Sequence, residues 1–330
     1  MNSSNGTFFM SLPCVAEEAS QYNGTRMLYL VFIHTTVLLV GFAILIGNTL
    51  VIVAVHRNTQ MQTTSNCMLV GLSVADLMVG LITFLATFFH PDMVIHFYLD
   101  PFYMCLIRST LMAIPTFVSV LHLTMIAFDR FIAISRPLRY HQIMTPRQGQ
   151  VMIAFCWIYG SFLMLLPIFG WRKDRPETVD SFICFYAEVY TPSYVWFLLF
   201  AGFFPACGLL VVFYLLLFMQ AYRTTRKISS QQRNPNTSTN VPAKRELKAV
   251  KTVLVIVGVF AVCWTPTACL IFFESRKKKF DYDCTSYYIE QFVYMVAVSN
   301  SAVNPIIYGF RNAEFRMAFK KIIGSLCRKC

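Results

Sequence analysis

Charged side chains are scarce in this sequence. Of 330 residues only 13% are Asp, Glu, Lys or Arg, against 56% hydrophobic and 15% aromatic. A soluble domain carries about 25% charged residues, so the chain lacks the polar surface that would coat a water-soluble globule. Soluble enzymes, disordered chains and secreted disulfide scaffolds are excluded on that ground. Acids are scarcer than bases, 16 against 28, and the net charge is +12. That excess suggests nucleic-acid binding only if it is concentrated on one surface. Histidine is rare and scattered, 6 residues in all, so no hydrolytic or redox cluster is visible. Internal repeats are lacking, which argues against a transporter built from two halves. Met1–Arg26 also lacks the basic start and apolar stretch of a cleavable leader. The first apolar segment is therefore expected to act as an uncleaved anchor.

What is there in abundance is apolar sequence in long runs. Seven windows contain almost no charge: Met27–His56, Asn58–Pro91, Ser109–Phe128, Gln148–Trp171, Val189–Tyr222, Thr252–Phe273 and Gln291–Phe310. A helix of about 20 residues crosses the hydrocarbon core, and backbone in lipid must satisfy its own hydrogen bonds. The chain is therefore read as all-α: a seven-transmembrane helix bundle spanning 27–310, after an outer tail (1–26) and before a cytoplasmic tail (311–330). The first, third and fifth connections and the C-terminal tail hold 19 Lys+Arg and three acids. The N-terminus and the remaining connections hold 9 Lys+Arg and 12 acids. Basic loops face the cytoplasm, which places the N-terminus outside and the C-terminus inside. The positive charge is thus an orientation signal, and nucleic acid is not expected as a partner.

Smaller features agree with that orientation. Glycosylation sequons at Asn2, Asn5 and Asn23 crowd the outer tail. Cys14, Cys105, Cys184 and Cys284 lie on the outer side, where oxidising conditions favour pairing. Four cysteines allow three connectivities. Cys105–Cys184 is favoured, leaving Cys14 and Cys284 as a second pair. In the tail, Phe315, Phe319, Ile322 and Ile323 recur at helical spacing with Arg316, Lys320 and Lys321 opposite. This predicts a short amphipathic membrane-surface helix after helix 7. Cys327 and Cys330 follow where palmitoylation would add an anchor.

Asp76 is the one acid inside the apolar windows. An acid at membrane depth costs at least a few kcal/mol, about 2.5 or more, and marks function. Asn48, Ser119, Asn300, Ser301 and Asn304 recur in other windows as polar partners. Carboxylate, hydroxyl and amide oxygens suit a hard monovalent cation, and they equally suit a water-filled polar network.

These residues belong to a larger set. Gly47-Asn48, Leu72-Ser-Val-Ala-Asp76, Asp129-Arg130-Phe131, Trp157, Cys263-Trp264-Thr265-Pro266 and Asn304-Pro305-Ile-Ile-Tyr308 occur in this order, one group in each of six expected helices, the third of them at the end of helix 3. As a set they resemble the rhodopsin-like (class A) G-protein-coupled receptors. The resemblance implies a plasma-membrane receptor, not an enzyme, that engages a heterotrimeric G protein, with arrestin and a receptor kinase as further partners. It implies that Asp129, Arg130, Glu246, Asn304, Pro305 and Tyr308 form the G-protein switch. Within it, Glu246 would reach Arg130 across the bundle in the resting state. Trp264, one turn above Phe260, Val120 and Pro205, would relay ligand position. Asp76, Ser119, Asn300, Ser301 and Asn304 match the family's sodium site, and no other cofactor is implied. Two departures stand out. Phe131 and Phe213 occupy positions where the family has tyrosine.

For the ligand, the resemblance first excludes. The retinal lysine position is Val298, and the amine receptors' aspartate position is Met112. The adenosine receptors' Asn and His positions are Ile271 and Val298. An apolar pocket remains, formed by Met112, Thr116, Phe117, Phe197, Trp264, Ala268, Ile271 and Tyr294, with Arg108 and Glu290 at its mouth. Cys105-Leu-Ile-Arg108, Leu138-Arg-Tyr-His-Gln-Ile-Met144, Gly202-Phe-Phe-Pro-Ala206 and Leu247-Lys-Ala-Val-Lys-Thr252 are similar to the glucose-dependent insulinotropic receptors. Those respond to fatty-acid ethanolamides and lysophospholipids and raise cAMP through the stimulatory G protein. A small lipid ligand with a polar head, held in a surrounding membrane lipid phase, is the expectation that follows.

Overall fold

The computed structural model describes residues 24–88, 100–176, 184, 186–231, 255, 258–273 and 284–327. Helix α1 runs Gly24–Arg57, α2 Thr64–Phe88, α3 Pro101–Ser135 and α4 Pro146–Leu165. Helix α5 comprises Pro192–Phe197, a wider π turn over Leu198–Phe203, and Phe204–Gln231. Helix α6 is described over Gly258–Phe273, α7 over Cys284–Arg311, and the short α8 over Ala313–Cys327. The architecture is all-α, and α1 to α7 form the seven-helix bundle expected from the apolar windows.

Five of these helices are long and apolar enough to cross a membrane. Helix α7 is as long but more polar, because Glu290, Ser299, Asn300, Ser301 and Asn304 lie along it. Exposed Leu28, Phe32, Leu39, Ile46, Ile158, Phe162 and Phe200 face outward, as helices embedded in lipid require. The buried layer is mixed and includes Asn48, Asp76, Ser119, His122, Asp129, Asn300 and Asn304. Polar groups are thus held away from lipid, inside the bundle.

The windows located the lipid depth and misplaced several helix ends. Helix α3 begins at Pro101, eight residues before the charge-poor window that opens at Ser109, and α2 begins at Thr64, six residues inside the window that opens at Asn58. Three helices open on the same device, a polar cap followed by proline. Asp100 Oδ1 accepts from Phe102 N (3.0 Å), Thr145 Oγ1 from Gln148 N (3.4 Å) and Thr191 Oγ1 from Tyr194 N (3.3 Å). Pro101, Pro146 and Pro192 fill the first turn, where a missing N–H costs nothing. Caps end a helix by hydrogen bonding, so they need not coincide with the edge of an apolar run. At 1.5 Å per residue the 35 residues of α3 reach about 52 Å, well past both faces of the membrane.

Two glycines let helices touch. A Cβ on Gly47 would lie 2.9 Å from Pro305 Cγ, so α1 and α7 close at the proline of α7. A Cβ on Gly71 would lie 2.6 Å from Nε2 of His122, which is itself buried, with Nδ1 2.9 Å from the Val118 carbonyl. Gly71→Ala is therefore expected to cost about 1–3 kcal/mol by overpacking. The check is the melting temperature of the solubilised protein. His122→Ala in the same chain should recover part of the loss, and no recovery would mean the clash lies elsewhere.

Candidate functional site

Two buried carboxylates organise the bundle interior, and α3 runs past both. Asp76, on α2, is fully buried and accepts three hydrogen bonds. Ser119 Oγ donates to Oδ1 at 3.0 Å and Ser301 Oγ to the same oxygen at 2.8 Å, while Asn304 Nδ2 donates to Oδ2 at 2.8 Å. Asn48 Nδ2 on α1 donates to the Ser301 carbonyl at 3.2 Å. Four helices therefore meet at one acid, each supplying a side chain from the polar set read in the sequence. Asn300 is also buried, with Oδ1 receiving no hydrogen bond.

Asp129, near the C-terminal end of α3, is also fully buried. Its Oδ2 accepts from Ser65 Oγ at 2.6 Å and its Oδ1 from Tyr140 OH at 2.7 Å, with Ser65 and Tyr140 3.0 Å apart. Arg130 Nε lies 3.8 Å from Asp129 Oδ2, with the arginine about a third exposed. Burial, with the Asp129 charge adding to it, raises the Tyr140 hydroxyl above its ordinary pKa, so it keeps the proton it donates. Sequence reasoning assigned Asp129 and Arg130 and missed Ser65 and Tyr140. The signal available was a tyrosine just past α3, in Leu138-Arg-Tyr-His, but nothing in the spacing tied it to Asp129. Glu246, the expected partner of Arg130, lies outside the described residues, as do Cys14, Asn2, Asn5, Asn23 and Cys330. The pairing of Cys14 with Cys284 and the modification of Cys330 thus involve positions outside them.

Between these clusters lies an aromatic core. Trp264 and Phe260 stack at 6.2 Å, and Phe203 lies 6.5 Å from Phe260. Val120 is buried in the same core, whereas Pro205 is exposed, so Phe203 takes the place expected for Pro205. The π turn of α5 rotates this register. Lower down, Phe213 lies 5.4 Å from Phe128 and 6.1 Å from Phe131. The two departures from tyrosine therefore touch, joining α3 to α5 through rings instead of hydroxyls. Tyr308 is buried beside Phe315 of α8, at 5.7 Å.

At the opposite end of the bundle, where α3 begins, Cys105 and Cys184 form a disulfide with Cα atoms 5.4 Å apart. Arg108 is exposed, and its Nη2 donates to Cys184 Sγ at 3.3 Å. Met112 and Tyr294 share one cluster with Val298, Ile44 and Val79, and the Tyr294 and Thr83 hydroxyls lie 3.2 Å apart. Phe117, expected on the ligand side, is buried where α3 meets α4 and α5, close to Gly160 and Gly202. Thr116, Ala268, Ile271 and Glu290 are all half-buried. Phe197 meets Trp171 at 4.9 Å, and Trp171 Nε1 donates to Ser193 Oγ at 3.0 Å. Trp171 follows Gly170, whose φ of 119° turns the chain sharply back after α4. Arg172 Nη1 donates to the Pro167 and Ile168 carbonyls at 2.9 and 3.0 Å, and its guanidinium stands 5.6 Å from the Tyr103 ring. Arg175 pairs with Asp100. This strap over the N-terminal ends of α3 and α5 was not legible from the sequence.

Residues 47–308 match the family described as 7 transmembrane receptor (rhodopsin family). The chain is 31% identical to the adenosine receptor A2b of Rattus norvegicus over 295 residues, covering 84% of this chain and 85% of that one. It is 30% identical to the adenosine receptor A2a of Homo sapiens over 309 residues, 88% and 72% of the two chains. The adenosine receptor A3 of Ovis aries is 27% identical over 303 residues, 90% of each.

Proposed function

Because the chain belongs to the rhodopsin family of seven-transmembrane receptors, we propose that it is a ligand-operated switch for a heterotrimeric G protein of the stimulatory type, raising cAMP. It is a multi-pass plasma-membrane receptor and not an enzyme. The proposed orientation, N-terminus outside, rests on the basic excess of the first, third and fifth connections. One observation carries the switch reading: Asp129 is fully buried and bonded by Ser65 and Tyr140 while Arg130 beside it stays partly exposed. A carboxylate already satisfied by two hydroxyls holds its arginine only loosely. A partner's groups then compete for that arginine at small cost, and the two outcomes form a bistable element. The ligand acts by preferring the open state, through Trp264 and Phe260.

The pocket composition supports a lipid amide or lysophospholipid, its chain against Met112, Ile271 and Phe197 and its polar head near Arg108 or Glu290. The second reading is a nucleoside, favoured by the adenosine-receptor relatives. A cAMP assay in cells across fatty-acid ethanolamides, lysophospholipids and adenosine separates the two. A response to adenosine with none to any lipid would overturn the lipid reading and leave the receptor reading intact. A monovalent cation, sodium by preference, fits the Asp76 cluster: one carboxylate and two hydroxyls supply oxygens without excess negative charge, and Asn300, next to Ser301 in α7, has a buried Oδ1 with no hydrogen bond. Its contribution when bound is to neutralise Asp76.

Tyr140→Phe tests the switch at the other carboxylate. It removes a donor to a charged acceptor and leaves Asp129 to hold Arg130 more tightly, so ligand-free signalling is expected to fall about threefold to tenfold. Ligand-free cAMP, measured at matched surface expression, reads this out. An unchanged or higher basal level would show that Tyr140 does not loosen the hold of Asp129 on Arg130.

A further inference from the structure

We infer that Pro115 is a hinge within α3 that positions Ser119, and through it Asp76, separately from the outer end of the helix. Pro115 is buried inside α3, which is helical from Pro101 to Ser135. Having no N–H, it cannot donate to the Leu111 carbonyl, and its ring crowds the turn above. A helix in lipid tolerates such a lost bond where neighbouring groups satisfy the freed carbonyl, and the joint it leaves is its softest point.

Anchors on the two sides of the joint are independent. Above it, α3 is fixed by the Asp100 cap, the Cys105–Cys184 disulfide and the Arg108 contact to the same sulfur. Below it, Ser119 holds Asp76 at 3.0 Å, Thr124 Oγ1 donates to the Ala206 carbonyl at 3.3 Å, and Asp129 is bonded by Ser65 and Tyr140. A rigid rod of 35 residues would carry any outer displacement to every lower anchor at once. A hinge at Pro115 delivers it first to Ser119. Helical pairing puts the Ser119 N–H on the Pro115 carbonyl, and the Ser119 side chain is the first below the joint that bonds to another helix. Pro115 is thus a positioning residue. Buried inside α3, it sets how far an outer movement reaches the Asp76 cluster.

Pro115→Ala restores the missing donor, and its effect is measured on the full chain in lipid nanodiscs. Amide exchange over Leu111–Ser119 is expected to slow by about fivefold, one hydrogen bond's worth. Basal nucleotide exchange on purified stimulatory heterotrimer is expected to fall by a similar factor, because a stiffer α3 keeps Ser119 on Asp76. In a Ser119→Ala background the Pro115→Ala effect on nucleotide exchange should vanish, as expected for residues acting in series. Unchanged amide exchange overturns the hinge. An equal effect with and without Ser119 overturns the route to Asp76. A wild-type chain inert toward the heterotrimer would count against the proposed coupling, while the amide-exchange arm would still decide the hinge.

Discussion

Asp76→Ala is expected to lower the apparent melting temperature of the solubilised receptor by roughly 6–20 °C. The substitution leaves Ser119, Ser301 and Asn304 with donors aimed at an empty place in a buried site. Hydrogen bonds to a charged acceptor contribute about 1.5–3 kcal/mol each. Removing one member of a buried charged network costs about 3–5 kcal/mol in all, because relaxation and water entry recover part of the sum. At about 2–4 °C per kcal/mol for a chain somewhat smaller than this one, that gives the stated range. Asp76→Asn separates charge from shape. Its amide oxygen still accepts from both serines, while its amide nitrogen faces Asn304 Nδ2, which must turn over. A loss no more than half that of alanine is expected for it. A receptor whose alanine variant melts within a degree or two of wild type would show that the cluster does not hold the four helices together.

The second large effect is at the outer face. Replacing Cys105 and Cys184 by serine removes a link between positions 79 residues apart. In the chain-entropy account a loop of that size is worth about 4–5 kcal/mol. The link also fixes the upper half of α3 and the sulfur on which Arg108 rests. Surface expression is therefore expected to fall at least several-fold, and ligand potency to fall beyond what expression explains. Flow cytometry on intact cells, with potency normalised to receptor number, distinguishes these losses. Normal potency in the receptors that reach the surface would confine the bridge to a role in folding. Free cysteines elsewhere, such as buried Cys156 and Cys263, should leave both readouts unchanged when replaced by alanine or serine.

How much of this was legible in the sequence differs from residue to residue. The Asp76 cluster was legible because each member is polar at membrane depth, where polarity is expensive and therefore conspicuous. Ser65 and Tyr140 were not. They sit near the membrane surface, where a polar residue costs nothing, and they lie 64 and 11 residues from Asp129 with no period relating them. Phe131 and Phe213 were each noted as a departure from tyrosine. That the two rings meet, with Phe128, is a fact of helix packing. Pro115 was in plain view and went unmarked, because an apolar proline does not interrupt an apolar window. The start of α3 was misplaced for a related reason. Arg108 breaks the charge-free run, yet the helix continues outward past it to the Asp100 cap.

The sequence by itself determined the class of protein, the number of spans, their basic and acidic sides, and the identity of the buried acid. Each follows from the cost of placing charge or bare backbone in hydrocarbon, a cost paid residue by residue and so recorded one residue at a time. Only the tertiary structure decided which groups satisfy Asp129, that Phe117 serves the α3–α4–α5 contact, and that Trp171 and Arg172 strap the outer end of the bundle. Those outcomes depend on distances between helices remote in the chain, and such distances are set by close packing, for which composition and spacing carry no mark.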